Sequence, residues 1–135
     1  AYFRSGTNPS TNMEHSDLTG IIVDEAFQLH KDLGPGLLES VYSKLLTHRL
    51  KKRGLKVERE KKVIFWYDGM RFDEGLRIDL LVNGEVVVEL KSVEVLPAVA
   101  FKQTLTYLRL TNRKVGLLIN FGAPLFKQGV KRIVN

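Results

Sequence analysis

The chain has 135 residues, 44% hydrophobic and 27% charged, with no cysteine. That balance excludes a disordered or fibrous chain, a disulfide scaffold, a thiolate metal site and a cysteine nucleophile. Lys and Arg outnumber Asp and Glu by 21 to 15, a formal charge of +6 that favours a polyanionic partner. No stretch approaches the roughly 20 consecutive apolar residues of a membrane span, and no basic-then-apolar leader opens the sequence, so the expectation is a cytoplasmic protein without a membrane role.

Residues 1–12 are polar and aperiodic and read as an appended, disordered tail, with Met13 a natural start and 13–135 forming one domain. A domain near this size buries about 68–70% of the surface its unfolded chain exposes and needs no metal merely to fold. A first helix is expected over Thr19–Leu33, where Ile22, Ala26, Leu29 and Leu33 recur at helical spacing and Gly34-Pro35 supplies the stop. His30 suits a C-terminal cap there. A second helix follows with Leu38, Val41, Tyr42 and Leu45 as its buried face, ending at Gly54. It leads into a basic stretch: from Arg49 to Lys62 eight Lys and Arg stand against two Glu. Lys51, Lys52 and Arg53 within it are candidates for tracking a phosphate backbone; a solvated helix end before a lysine-guarded edge strand is the equal alternative.

Val57–Tyr67 is β-branched and aromatic and closes at Asp68-Gly69, a strand with a turn, whose Phe65, Trp66 and Tyr67 read as strand packing in preference to base stacking. Arg77–Val82 and Glu85–Lys91 form a hairpin about Asn83-Gly84. Ala98–Leu110 is a third helix, Lys114–Phe121 a central strand apolar on both faces, and Val130–Val134 a short last strand. This order specifies an α/β (α+β) fold with helices packed on a mixed sheet.

Past the charges that open its strands, Arg77 and Glu85, three more are set in the apolar hairpin: Asp79, Glu89 and Lys91. Glu89 and Lys91 share a strand face because side chains alternate. Asp79 joins them only if the loop is odd. A two-residue Asn-Gly loop sets Asp79 against Val88 and sends it to the other face, whereas a three-residue loop, Val82-Asn83-Gly84, sets Asp79 against Val87 and makes it a diagonal neighbour of Glu89. The odd loop is therefore expected. Two carboxylates at that spacing suit Mg²⁺ or Mn²⁺, which keep waters and bridge to substrate phosphate, while Lys91 orients a water or offsets transition-state charge. Structural ion pairing is the plainer reading of the same three residues.

Asp79 with Glu89-Leu90-Lys91 resembles the D…(D/E)xK signature of the restriction-endonuclease-like, PD-(D/E)XK nuclease superfamily, and Gly36-Leu37-Leu38-Glu39-Ser40-Val41-Tyr42 resembles the motif naming its GxxExxY family. LGPGLLESVY, RIDLLV, VVVELKSVE, QTLTYL and GLLINFG are similar to family segments in the same order, from about Leu18 to Val134. One segment, Val99-Ala100-Phe101-Lys102, departs from a family pattern that is polar or histidine-bearing there.

The resemblance implies a restriction-endonuclease-like core, a mixed sheet of about four to five strands with helices on both faces. It implies Asp79, Glu89 and Glu39 as metal ligands, Lys91 as the catalytic lysine, and Gln103, Tyr107 and Tyr42 as groups that contact substrate or support the site. The expected activity is Mg²⁺- or Mn²⁺-dependent phosphodiester hydrolysis of nucleic acid, DNA ahead of RNA. A nuclease-derived module that binds nucleic acid or protein without turnover is the alternative, and a metal-free structural protein a third. Oligomeric state stays open, a homodimer included. Each residue has a structural reading too: an acid in a helix's first turn gains roughly 0.3–1 kcal/mol without catalysis. Tyr42 suits a core, and Gln103 and Tyr107, opposite a Phe101, Leu105 and Leu108 stripe, suit a second packing face.

Overall fold

The computed structural model describes residues 14–135, so the tail expected over 1–12 lies outside the described residues. Helix α1 spans His15–Leu33, four residues longer at its start than the periodicity suggests, because Leu18 is already buried and its N–H bonds back to Glu14. His30 does not cap the helix with its ring; its Nε2 lies 2.7 Å from the carbonyl of Ala123. Helix α2 spans Glu39–Lys52. Its buried stripe is Tyr42, Ser43, Leu46, Thr47 and Leu50, while Leu38 and Val41 are exposed. The apolar spacing misplaces this face because Leu38 is the N-cap and precedes the first turn.

The segment expected as one strand to Tyr67 divides into β1 (Val57–Lys62) and β2 (Phe65–Tyr67), and β2 pairs with an unforeseen β3 (Met70–Phe72). Then follow β4 (Arg77–Val82), β5 (Val86–Lys91), α3 (Ala98–Leu110), β6 (Val115–Asn120), a short α4 (Phe126–Gly129) and β7 (Val130–Val134). The main sheet has the order β1-β4-β5-β6-β7. All neighbours are antiparallel except β5 and β6, whose parallel pairing needs the crossover that α3 supplies.

Helices cover both faces. Leu18, Ile22, Tyr42, Leu46 and Leu50 pack on the face of Leu80, Val82, Val86, Val88, Leu117 and Ile119. On the other face Leu108 of α3 packs with Ile78, Leu81 and Val87. The buried stripe of α3 is Ala100, Thr104 and Leu108, not the Phe101, Leu105 and Leu108 set, because Thr104 and Leu108 lie over Gly116 of β6. Strands β5 and β6 are consequently buried along nearly their whole length.

Candidate active site

The β4–β5 turn decides the geometry. The last ladder pair is Val82 with Val86, leaving Asn83, Gly84 and Glu85 as an odd loop. Asn83 (φ 53°) and Gly84 (φ 66°) make the tight turn, the Glu85 N–H donates to the Val82 carbonyl at 3.0 Å, and Glu85 is the extra residue. The loop sits one position later than Val82–Gly84. The parity of the loop is as expected, and the register continued past Leu80 and Val88 brings Asp79 level with Glu89, opposite it and not diagonal to it.

The regular ladder stops at Leu80 and Val88. Beyond it the two acids reach across to each other's strand: the Asp79 N–H donates to the Glu89 carboxylate at 2.9 Å, and the Leu90 N–H donates to the Asp79 carboxylate at 2.8 Å. On the other flank, Asp79 faces Glu60 of β1, whose φ of 50° breaks the pairing between Arg59–Leu80 and Lys61–Ile78. The sheet is therefore open on both sides of Asp79.

Glu89 is 5% exposed. Burial first, and then the charge of Asp79, push its carboxyl up to about 8; the Asp79 N–H bond and the Lys91 charge only partly oppose this. Without a cation, burial and the neighbouring charge thus favour the protonated form of Glu89. Burial and the charges of Glu89 and Asp79 also raise the Tyr107 hydroxyl, which stays protonated and accepts an N–H from Gln103 at 3.1 Å.

A hollow of about 370 Å³ brings together Glu39, Asp79, Glu89, Lys91, Gln103 and Tyr107, six of the residues singled out from the sequence. Glu74, Gly75, Leu76, Arg77 and Leu90 line the rest of it. A smaller hollow of about 150 Å³ adjoins it through Glu39, Arg77 and Asp79 and adds Ser40, Ser43, Arg59 and Glu60. Arg59 donates to the Ser43 hydroxyl at 3.1 Å. In the sequence Arg59 stands out only as one cation of the basic run, and Arg77, Ser40 and Ser43 look like ordinary surface residues; only the i, i+2 relation of Arg77 to Asp79 points there.

Tyr42 is wholly buried, stacks on Phe121 with centroids 4.3 Å apart, donates to the Gly34 carbonyl and accepts from the Leu37 N–H at 3.3 Å. It lines neither of these two hollows; it cinches the loop that delivers Glu39. That loop turns at Gly36, whose φ of 115° suits only glycine. The Ser92 hydroxyl also holds it, donating to the Leu37 carbonyl at 2.6 Å. Asn120, beside Lys91 in the sheet, brackets Val93 with both side-chain atoms, and the backbone of Val93 passes so close to Gly122 that a Cβ would lie 2.2 Å from the Val93 carbonyl oxygen. These contacts hold the end of β5 that carries Lys91.

Lys51, Lys52 and Arg53 are not brought to the hollow. They end α2 about 20 Å along its axis from Glu39. Arg53 and Arg49 each hold Glu25 of α1 at 2.7 Å. Burial disfavours the Glu25 charge, but the two arginines outweigh it and leave its carboxyl below the usual range.

The donor chemistry fits a hard divalent cation. Asp79 and Glu89 present carboxylate oxygens together, and the strain that keeps Glu89 protonated is what such an ion relieves. Among the described residues no three Asp, Glu, His or Cys side chains converge closely enough to hold an ion by themselves. An ion here would rest on Asp79 and Glu89 with water completing its shell, Glu39 standing at the edge of the same hollow. Among the described residues no helix is long and apolar enough to cross a membrane.

No curated protein and no solved structure matches the chain. A family model for the PD-(D/E)XK nuclease superfamily matches residues 16–133. With the five-stranded mixed sheet and its flanking helices, as in a restriction-endonuclease-like fold, that span covers most of the chain, which therefore belongs to the PD-(D/E)XK nuclease superfamily.

Proposed function

We propose that the chain hydrolyses phosphodiester bonds in nucleic acid, DNA ahead of RNA, with Mg²⁺ or Mn²⁺ bound at Asp79 and Glu89, and that Gly36, Glu39 and Tyr42 mark it as a GxxExxY-type member. The observation that carries this is the confrontation of Asp79 and Glu89 across adjacent strands, with Lys91 in the same hollow. Superfamily nucleases generally use divalent ions. The ion supplies charge for the phosphoryl oxygens and acidity for a bound water. Lys91 holds a positive charge against the developing phosphoryl charge and orients the attacking water. Tyr107, protonated and steadied by Gln103, offers an O–H donor at the rim. Glu39 orients groups from the start of α2.

Single-stranded, duplex and branched DNA, incubated with Mg²⁺ or Mn²⁺, provide the test. The wild type cleaves, and Lys91→Ala cleaves at least about 100-fold more slowly. Absence of wild-type cleavage, or equal cleavage by the variant, removes the reading. A binding module without turnover is separated by the melting temperature: a ligand specific to the folded state stabilises by RT ln(1 + [L]/Kd), so a melting curve unmoved by millimolar Mn²⁺ favours the module.

A further inference from the structure

Between β1 and β4 the chain runs out as a ribbon, β2–β3, which pairs with itself and forms a separate two-stranded sheet. The ribbon continues the β1–β4 pairing: Lys62 opposes Arg77, the Val63 N–H donates to the Leu76 carbonyl at 3.1 Å, and Phe65 then opposes Phe72. It leaves the sheet at the end that carries the acids, since Arg77 is two residues from Asp79. Its return stretch, Glu74 to Arg77, lines the acidic hollow.

The arm is built to a defined shape. Phe65 and Phe72 stack at its base with centroids 5.1 Å apart, and Asp68 (φ 51°) and Gly69 (φ 74°) turn its tip. Against expectation, its outer residues stand largely in solvent: Trp66 is 64%, Tyr67 70% and Met70 59% exposed. Among the described Phe, Tyr and Trp side chains no others are more than half exposed. Trp66 shares a ribbon face with Arg71, its cross-strand partner. Lys62 and Arg77 lie on the strands between this tip and the carboxylates, on the same side of the sheet as Asp79.

Aromatic platforms at the end of a cationic path are the elements that hold unpaired nucleic acid, whose bases offer free faces while its phosphates follow the positive charges. Bases within a duplex are already stacked on both sides. We propose that the β2–β3 arm is a single-strand grip: Trp66 and Tyr67, on opposite faces of the ribbon, each stack on an unpaired base, while Lys62, Arg71 and Arg77 carry the backbone toward the acidic hollow, the two arginines exchanging their exposed pairs with Asp73 and Glu60 for phosphate. The substrate class is thus nucleic acid with an unpaired stretch at the cleavage position. This deepens the nuclease reading and rests on it.

Trp66 is the chain's single tryptophan, so its emission reports on the arm alone. Wild-type protein in EDTA is titrated with a single-stranded oligodeoxynucleotide and with a blunt duplex of equal length, and cleavage of both is assayed separately in Mn²⁺. The single strand quenches Trp66 saturably and the duplex does not. Trp66→Ala and Tyr67→Ala each weaken single-strand binding roughly 5- to 100-fold by labelled-oligonucleotide anisotropy, whereas Trp66→Phe retains most of it. Circular dichroism shows both alanine variants folded, as their exposure leads one to expect.

Binding and cleavage with Trp66 emission unmoved would overturn the grip and leave the nuclease standing. Quenching without cleavage upholds the grip and removes the nuclease. Equal quenching by duplex, no single-strand binding, or self-association lost in Trp66→Ala with no quenching by nucleic acid each overturns the proposal, the last in favour of a second copy of the chain.

Discussion

Strands β4 and β5 are two molecules' worth of chemistry in one hairpin. Near the turn, Leu80, Leu81 and Val82 meet Val88, Val87 and Val86 in a regular ladder, buried on both faces. One step further the ladder gives way, and carboxylates accept the N–H groups of Asp79 and Leu90. The apolar half gains stability from burial. The acidic half works against it, since a buried Glu89 beside Asp79 favours the protonated state. The contrast teaches that a rigid ladder holds the acids opposed, so the opening they create is in a fixed place.

Changing Asp79→Asn tests the division most severely. Asparagine still accepts from the Leu90 N–H but removes a charge. Cleavage falls at least about 100-fold, while at pH 8.5, where Glu89 is ionised, the metal-free melting temperature is unchanged or higher because its repulsion with Asp79 is gone. A lowered melting temperature in differential scanning fluorimetry would return the pair to a structural role. In the apolar half Leu80→Ala costs about 2–5 kcal/mol in urea unfolding, since Leu80 is wholly buried, and it acts on cleavage only through folding.

Solution pH separates the halves next. Glu89's folded pKa lies above its unfolded value, so between pH 4.5 and about 8 the folded state binds more protons. Its contribution to stability is present below the unfolded pKa and is lost as pH rises through the folded value. Metal-free wild type therefore unfolds more readily in urea at pH 8.5 than at pH 5.5, and Glu89→Gln flattens this difference. Since a bound cation requires the ionised acid, Mn²⁺ binding releases a proton and tightens as pH rises, readable by calorimetry in buffers of different ionisation enthalpy.

Tyr42→Phe loses both bonds to the Gly34–Leu37 loop but keeps the Phe121 stack, costing about 1 kcal/mol and slowing cleavage through a looser Glu39. The smallest effect is expected of the Lys51→Ala, Lys52→Ala pair. These lysines lie at the far end of α2, and their loss changes stability by less than about 0.5 kcal/mol and leaves single-strand affinity near wild type at 0.15 M salt.

Elements whose signals are local were legible. Helix α3 and strands β4 and β7 occupy the residues that periodicity marks, and the Asn83-Gly84 turn announces the hairpin. Alternation sets Glu89 and Lys91 on one face of β5, and the odd loop brings Asp79 into the same hollow. Less legible were the buried stripe of α2, set by what it packs against, and the β2–β3 arm, which hydrophobic content merged into one strand. In the basic run from Arg49, two of the eight cations, Arg49 and Arg53, are held by Glu25, 24 and 28 residues away, a pairing that the run itself does not signal.

Residue pattern alone thus dictated the layer order, the odd loop and the chemistry available at positions 79, 89 and 91, since these depend on neighbours within a few residues. Tertiary structure alone decided that the loop falls one residue later and sets the two acids face to face, that Glu39 reaches the hollow's edge, and that Trp66 and Tyr67 stand in solvent. Those outcomes hang on contacts between distant segments, Lys56 with Asn83, Tyr42 with Gly34 and Phe121, and the pairing of β2 with β3, whose energies no local stretch of chain contains.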